Sequence, residues 1–486
     1  MARPAFDLIE QARLAARAFA EFGQHLFNPT VRLGVTGLSR AGKTVFITAL
    51  LHGLIRGGRF PVFAALGNGR IARAQLAPQP DDAVPRFDYE HHARALVEER
   101  RWPESTRHIS ELRLVIDYQA LNGAMRTLTL DIVDYPGEWL LDLPLLGLSY
   151  PEWAAASVAL SRQEPRATAA KAWHRHLAAH DPCAAADEQV AIAAAKLYTD
   201  YLRACRDERY AMSLLPPGRF LMPGDLAGSP ALTFAPLELP ESGEPPAASL
   251  WAMMARRYES YKDVVVRPFF RDHFARIDRQ IVLVDVLAAL NAGPAAVHDL
   301  ERALAGILDC FRIGQATWLS PLFRPSADKI LFAATKADHL HHASHDHLET
   351  ILGRMVAQAA ERAKFTGAAY DVIALAAVRA TREAQVARGG ETLPSILGTP
   401  LAGESAGGQM FDGETEIALF PGDLPADPQH LFDGPAAATG RARGNADFRF
   451  LRFRSPKVER CGDGLPVLPH IRLDRALQFL IGDRFK

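Results

Sequence analysis

Residues 31–44 read VRLGVTGLSRAGKT. The first six, Val31–Thr36, form a short and mostly apolar run that is typical of a buried strand. The residues that follow, Val45–Ile55, are mostly apolar, contain no proline and are numerous enough for a helix. The pattern G-x-x-x-x-G-K-T lies between these two runs. In a strand-to-helix setting this pattern predicts a phosphate-binding loop, the P-loop of nucleotide-binding proteins.

The residue types in this loop have separate physical roles. Gly37 and Gly42 allow backbone angles that a side chain would oppose, so that the loop's N–H groups point at phosphate oxygens. We expect Lys43 to contact the β- and γ-phosphates and the Thr44 hydroxyl to bind Mg²⁺. The residues of this loop that we predict to contact the nucleotide are Gly37, Ser39, Arg40, Ala41, Gly42, Lys43, Thr44 and Val45.

A hairpin is predicted after the P-loop helix. Ser110–Gln119 and Thr127–Val133 alternate polar and apolar residues, and Asn122-Gly123 between them is a strong two-residue turn signal. The second run ends in Asp134-Tyr-Pro-Gly137. At this place D-x-x-G is the second nucleotide signature of Ras-like GTPases, in which Asp134 would hold Mg²⁺ through water and the Gly137 N–H would meet the γ-phosphate.

Two continuous apolar runs, Ile281–Asp285 and Lys329–Ala334, predict buried parallel strands. The second run leads into T-K-A-D, which matches the guanine signature [N/T]-K-x-D. The Asp338 carboxylate would accept both N1–H and N2–H of guanine, a pattern that adenine does not offer, and the stem of Lys336 would lie along the base. We therefore assign Thr335, Lys336 and Asp338 to guanine. Because Thr335 stands where Asn is more diagnostic, an ATPase without strong guanine selectivity remains the alternative.

A last strand is predicted at Tyr370–Leu375. In Ras-like proteins the loop after this strand supports guanine with backbone N–H groups, so we assign Ala377 and Val378 to the nucleotide. The usual S-A-K sequence is absent here.

Three further positions bear on hydrolysis. Thr106, just before the hairpin, is the candidate to close over Mg²⁺, with Ser105 as its rival and an ordinary capping role as the alternative. Arg40 stands at the position where guanylate-binding proteins and atlastins carry an intrachain arginine finger. The alternative is a side chain that points to solvent or pairs with a nearby acid. Glu138 replaces a water-orienting glutamine, which predicts slow turnover. The residues assigned to catalysis are Lys43, Arg40, Thr106 and Gly137.

Composition narrows the remaining possibilities. The chain has 486 residues, 48% of them hydrophobic, and a formal net charge of −1, so that no nucleic acid partner is expected. Four separated cysteines predict neither a disulfide framework nor a structural zinc. No apolar run is long enough to span a bilayer. The amphipathic pattern of residues 1–27 predicts a helix docked on its own protein, with peripheral membrane contact left open.

The order of these signals predicts an α/β fold, a Ras-like P-loop NTPase domain whose mostly parallel sheet contains one antiparallel hairpin strand. We place this domain in residues 28–150 and 275–386, interrupted by a mainly helical subdomain at 151–274. A small Gly- and Pro-rich, partly β appendage follows at 387–470, then a C-terminal helix at 471–486. The long stretch from Thr44 to Thr106 is expected to order when GTP binds.

The sequence resembles the YcjX family of bacterial P-loop proteins along most of its length, most clearly in RLGVTGLSRAGKTVFITALLHGL, DIVDYPGEWLLDLP and PHIRLDRALQFLIGDRF. The resemblance implies a cytoplasmic, stress-associated protein that binds GTP or GDP with Mg²⁺, held by Thr44, Thr106 and Asp134. We expect slow GTP hydrolysis, a switch function and a protein effector. A scaffold that holds guanine nucleotide without turnover is a further alternative.

Overall fold

The computed structural model describes residues 29–38, 40–104, 106, 108–310, 327–364, 368–388, 390–406, 408–432, 450–460 and 466–486. The predicted N-terminal helix at 1–27 and the candidates Ser39 and Ser105 lie outside the described residues.

A seven-stranded sheet organises the chain, in the spatial order β2-β3-β4-β1-β5-β6-β7. Its strands are β1 (Thr30–Gly37), β2 (Ile71–Ala77), β3 (Ser110–Gln119), β4 (Met125–Asp134), β5 (Arg279–Val284), β6 (Lys329–Ala334) and β7 (Ala369–Ala374). Only β3 among these strands runs against the others, since it pairs antiparallel with both β2 and β4 while the remaining pairs are parallel. The predicted parallel sheet with one antiparallel hairpin strand is confirmed.

The register brings the carboxyl ends of four strands to one edge of the sheet. Val35 on β1 lies opposite Asp134 on β4, and Gly37 lies opposite Leu283 on β5. Val284 in turn lies opposite Ala334, the last residue of β6. In open α/β sheets this edge is where ligands bind, because loops and helix N-termini meet there.

Helices cover both faces of the sheet. In chain order they are α1 (Lys43–Arg56), α2 (Ala64–Gly67), α3 (Tyr89–Val97), α4 (Tyr150–Ser161), α5 (Arg166–Ala179), α6 (Glu188–Arg206), α7 (Gly218–Leu221), α8 (Leu250–Tyr261), α9 (Arg267–Asp272), α10 (Val286–Ala292), α11 (Pro294–Cys310), α12 (His345–Lys364), α13 (Gln429–Phe432) and α14 (Leu473–Ile481). A π-helical turn, Lys262–Val266, joins α8 to α9. The 3₁₀ segments are Gly137–Gly147, Gly224–Leu226, Pro230–Leu232, Phe274–Arg276, Ala337–His339, His342–Ser344 and Gly482–Phe485.

The two faces of the sheet bury different cores, as the alternation of side chains along a strand requires. Ile281 and Leu283 of β5 pack with α1, α3 and α14. Val282 and Val284 of the same strand pack with α10–α12 and with the inserted helices α4–α9. The insertion therefore shares one continuous apolar core with the sheet rather than a core of its own.

The C-terminal part adds short strands, as predicted. We call residues 382–467 the β appendage. It contains a three-stranded antiparallel sheet of β8 (Arg382–Arg388), β9 (Glu391–Gly398) and β12 (Ile417–Leu419), and the pairs β10 (Ser405–Ala406) with β11 (Gln409–Met410) and β13 (Glu459–Arg460) with β14 (Pro466–Val467). The C-terminal helix α14 begins at Leu473, because Arg472 has a left-handed φ of 57°.

No element was predicted between the P-loop helix and the hairpin, yet α2, β2 and α3 lie there. β2 is an edge strand with few buried residues, so its sequence IARAQLA shows no clear alternation. Among the described residues, no helix combines the length and the apolar character that crossing a membrane requires.

Candidate nucleotide-binding site

The loop between β1 and α1 has the backbone geometry of an anion cradle. Gly42 caps α1 with φ 84°, and Arg40 also takes a left-handed φ of 65°. The first turn of α1 holds no acidic residue that would offset its positive N-terminal end. The Lys43 Nζ donates to the Gly37 carbonyl at 3.2 Å, which places its charge directly over the loop.

Three oxygen-bearing side chains converge beside this loop. The Thr44 and Thr106 hydroxyl oxygens are 3.2 Å apart, and the Thr106 hydroxyl donates to the Asp134 Oδ2 at 2.5 Å. These are the residues that the sequence assigned to Mg²⁺, brought together from α1, from the segment before β3 and from the end of β4.

The chemistry of this cluster fits a divalent cation. The Asp134 carboxyl is buried, and its Oδ1 has no hydrogen-bond partner among the described residues. Burial raises the pKa of Asp134 from 3.8 to about 6, although Lys43 and the Thr106 hydroxyl act in the opposite direction. A buried, unpartnered carboxylate oxygen beside two hydroxyl oxygens is a donor set that Mg²⁺ prefers.

Gly137 lies against the P-loop backbone. A Cβ at this position would be 1.5 Å from the Gly37 carbonyl oxygen, closer than any side chain could come. The D-x-x-G turn therefore needs glycine for space rather than for its backbone angle. The contact holds the Gly137 backbone next to the predicted phosphate site.

The base end of the site is built from the loop after β6 and the loop after β7. The Asp338 Oδ2 accepts from the Ala380 N–H at 2.8 Å, and the Asp338 carbonyl accepts from the Thr381 hydroxyl. Lys336, with a left-handed φ of 61°, forms an ion pair with Asp285. These bonds hold Asp338, which is 4% exposed, in a fixed position beside the edge of the sheet.

One cavity of about 270 Å³, here called the main cavity, joins the phosphate end to the base end. Both Lys43 of the P-loop and Asp338 of the loop after β6 line it. The other predicted residues that line it are Arg40, Ala41, Gly42, Thr44, Val45, Thr106, Thr335, Lys336, Ala377 and Val378. Gly37, Asp134 and Gly137 do not line it. Gly37 and Asp134 contact the lining residues Lys43 and Thr106, and Gly137 lies against Gly37.

Arg40 and Glu138 each lie beside a residue of opposite charge in the insertion. The Arg40 Nη1 lies 2.7 Å from the Glu208 Oε1, with both side chains about half exposed. This is the ion pair that the sequence analysis held as the alternative to an arginine finger, and the catalytic assignment of Arg40 stays a prediction. Glu138 is buried and faces Arg206 at 3.6 Å.

The 3₁₀ segment after Gly137 is embedded in the inserted helices. The Asp142 carboxylate accepts from the Gly218 and Arg219 N–H groups and from the Tyr261 hydroxyl. Burial raises the pKa of Asp142 to about 6. The Arg219 guanidinium lies 3.2 Å from the centre of the Trp139 ring. The segment that follows D-x-x-G thus packs into the core that the insertion shares with the sheet.

Sequence reasoning missed part of the cavity wall. Trp102, His339, Leu401, Arg452 and Phe453 also line the main cavity. The last three come from the β appendage, far along the chain from either nucleotide motif. No local pattern marks them, because their position depends on how the appendage packs against the nucleotide-binding loops.

Comparison with known proteins identifies relatives along nearly the whole chain. The profile of the YcjX-like family, DUF463, matches residues 31–485. A relative named Ras-like GTPase YcjX from Escherichia coli (strain K12) is 39% identical over 472 residues, covering 94% of this chain and 96% of the relative. A protein of the same name from Shewanella oneidensis is 35% identical over 488 residues, covering 94% and 95%.

Among solved structures, the signal recognition particle receptor SRb-GTP/SRX complex from Chaetomium thermophilum matches at 12% identity, with a TM-score of 0.25, over 72% of this chain and 93% of that one. So low a TM-score carries no argument. The family profile and the two relatives span nearly the whole chain. The chain therefore belongs to the YcjX-like family.

Proposed function

We propose that this protein binds GTP and GDP together with Mg²⁺, hydrolyses GTP slowly and acts as a nucleotide-dependent switch. The observation that carries the proposal is the main cavity itself, whose wall contains both Lys43 and Asp338. The name Ras-like GTPase given to both relatives supports it. From the family resemblance alone, we also propose that the protein is cytoplasmic and that it acts in the bacterial stress response.

Guanine is the proposed base because of how Asp338 is held. Its carboxylate is buried and lines the cavity, and only one of its oxygens receives a hydrogen bond from the described part of the chain, the one from the Ala380 N–H. A buried carboxylate needs donors, and guanine supplies two on one edge whereas adenine presents an acceptor there. The Ala377 and Val378 segment is proposed to support the opposite edge of the base.

The phosphate end supplies charge and positioning. Lys43 would move from the Gly37 carbonyl to the β- and γ-phosphates, and the loop N–H groups would hold their oxygens. Thr44, Thr106 and Asp134 would hold Mg²⁺, which neutralises charge on the phosphates. The Gly137 N–H would approach the γ-phosphate. Arg40 is proposed to neutralise charge that develops on the transferred group after it leaves Glu208.

Turnover is proposed to be slow because Glu138 does not reach the phosphates as a water-orienting group. Its carboxylate is buried and directed at Arg206 in α6. We keep residues 28–150 and 275–386 as the proposed nucleotide-binding domain. The inserted residues 151–274 contact the D-x-x-G segment directly, and this is where we propose that nucleotide state is passed to a protein effector.

Equilibrium binding with fluorescent GDP, GTP and ATP analogues at saturating Mg²⁺ tests this proposal. Lys43→Ala should remove binding of all three, and Lys171→Ala, at an exposed position of α5, should not. Asp338→Asn should weaken guanine nucleotides by about 100-fold and leave ATP unchanged. Asp423→Asn, at an exposed position away from the cavity, is its control.

Single-turnover phosphate release measures the catalytic step. Arg40→Ala should slow release strongly while GDP affinity stays nearly intact. Equal affinity for ATP and GTP would favour the ATPase alternative, and GTP that stays bound without release would favour the scaffold. Protein that binds no purine nucleotide with ample Mg²⁺ would overturn the proposal as a whole.

A further inference from the structure

Part of the main cavity wall comes from a part of the chain that carries no nucleotide motif. Arg452 and Phe453 follow β12 in the β appendage and line the cavity together with Leu401. The backbone there is fixed by the Leu401 N–H, which donates to the Arg452 carbonyl at 2.8 Å. A bridge between Pro400 and Phe453 holds the same two stretches together. The appendage therefore forms a well-ordered part of the cavity wall.

Phe453 belongs to the base end of the cavity. Its ring centre is 5.2 Å from that of His339, the residue after Asp338, in an edge-to-face arrangement at 79°. Its carbonyl accepts from the Trp102 Nε1 at 2.7 Å, and Trp102 lies four residues before Thr106 in the chain. A purine base needs aromatic or apolar surface against its faces. Phe453 supplies such surface beside His339, and Trp102, bonded to the Phe453 carbonyl, also lines the cavity.

A chain of charges lies between the main cavity and a neighbouring cavity, since Arg40 and Arg452 line both of them while Glu208 lines only the neighbouring one. The Glu208 Oε1 receives Arg40 Nη1 at 2.7 Å and Arg452 Nη1 at 3.0 Å. Arg452 also pairs with Glu404 at 2.6 Å. One carboxylate of the insertion thus joins the P-loop to the β appendage. The side chains of Arg40, Glu208 and Arg452 are about half exposed, so the two pairs made by Glu208 are weak and open readily.

We propose that the β appendage is an integral wall of the nucleotide site, in which Phe453 packs on the base and Arg452, linked through Glu208 to Arg40, closes the side of the site next to Arg40 and retains bound nucleotide. This inference rests on the proposed function. It assigns two binding residues to a part of the chain that the nucleotide motifs do not reach.

The rate at which fluorescent GDP dissociates from the full chain, chased with excess unlabelled GDP, tests the proposal. Phe453→Leu keeps apolar volume in the appendage but loses the ring, and should speed release about tenfold. Phe411→Leu changes another appendage phenylalanine, which does not line the cavity, and should leave the rate unchanged.

Arg452→Ala removes only a half-exposed side chain and should speed release several-fold. The wild-type rate should rise with salt, and the rate of this variant should depend on salt less, because screening weakens the same ion pairs. Arg382→Ala, an appendage arginine that pairs with Glu416 and does not line the cavity, is the control. Neither Phe453→Leu nor Arg452→Ala should change the preference for GDP over ADP, which depends on Asp338.

Wild-type release rates in both Phe453→Leu and Arg452→Ala, in a chain that binds GDP through Lys43 and Asp338, would overturn this inference and leave the proposed function standing. A chain that binds no GDP would overturn both. If Phe453→Leu lowers the thermal midpoint, the Arg452→Ala rate and its salt dependence decide the matter alone.

Discussion

Asp134→Asn should make the metal-free protein more stable while it removes the response to Mg²⁺. Burial raises the pKa of this carboxyl from 3.8 in the unfolded chain to about 6. Because the folded chain holds the proton more tightly, this group favours folding at low pH, and the contribution is lost as the pH rises through about 6. The difference between these two pKa values corresponds to about 3 kcal/mol of destabilisation of the folded chain at pH 8. An uncharged amide of the same shape should remove this destabilisation.

The assay is thermal unfolding in EDTA at pH 8 and at pH 5. We expect the variant to melt roughly 5 °C above wild type at pH 8, with a smaller gap at pH 5. Asp142 has a similarly raised pKa, so the pH dependence of either protein alone is not diagnostic and only the difference between the two isolates Asp134.

Magnesium binding supplies the second half of this test. Mg²⁺ requires the ionised carboxylate, so its apparent affinity in the wild type should fall about tenfold between pH 8 and pH 5. In the variant, nucleotide affinity should not respond to Mg²⁺ at either pH. A variant that melts below wild type at pH 8, or a wild type whose Mg²⁺ affinity ignores pH, would refute the reasoning.

Three further substitutions follow from the same contacts. Gly137→Ala places a methyl group against the Gly37 carbonyl and should weaken GTP binding at least tenfold in a binding titration, while Gly147→Ala, in open space, should not. Thr106→Val should weaken Mg²⁺-dependent GTP binding about tenfold and Thr106→Ser should retain it. Arg166→Met leaves the buried Asp299 charge unpaired and should cost about 3–5 kcal/mol in chemical unfolding; an unchanged midpoint would contradict this.

The sheet and its edge could be predicted from sequence because their signals are local. A strand followed by G-x-x-x-x-G-K-T specifies its own backbone, and Asn122-Gly123 specifies the hairpin between β3 and β4. The carboxyl ends of parallel strands then meet at one edge whatever the loops contain. The convergence of Thr44, Thr106 and Asp134 follows from that rule, since Thr106 precedes the strand that pairs with β4.

The rest of the site depends on contacts between distant parts of the chain. Glu208 lies in the turn after α6, and nothing in its neighbourhood indicates that it would reach Arg40 in the P-loop. No alternating pattern of residues links Phe453 to the strands of the appendage that support it. The edge strand β2 was missed for a related reason, because its partner β3 supplies the hydrogen bonds that its own side chains do not predict.

Two glycines bring the insertion into close backbone contact with the nucleotide-binding loops, as the proposed switch would require. A Cβ on Gly137 would lie 1.5 Å from the Gly37 carbonyl, and a Cβ on Gly218 would lie 1.7 Å from the Glu138 carbonyl. The P-loop, the D-x-x-G turn and the start of α7 are therefore stacked backbone against backbone, with no side chain between them to yield.

The Gly218 N–H is also bound to Asp142, at 2.7 Å, within the same 3₁₀ segment. A shift of Gly137 toward a γ-phosphate would displace Glu138, and α7 would have to follow or lose its bond to Asp142. Close-packed contacts of this kind favour alternative arrangements over gradual deformation, which is the property that a nucleotide switch requires.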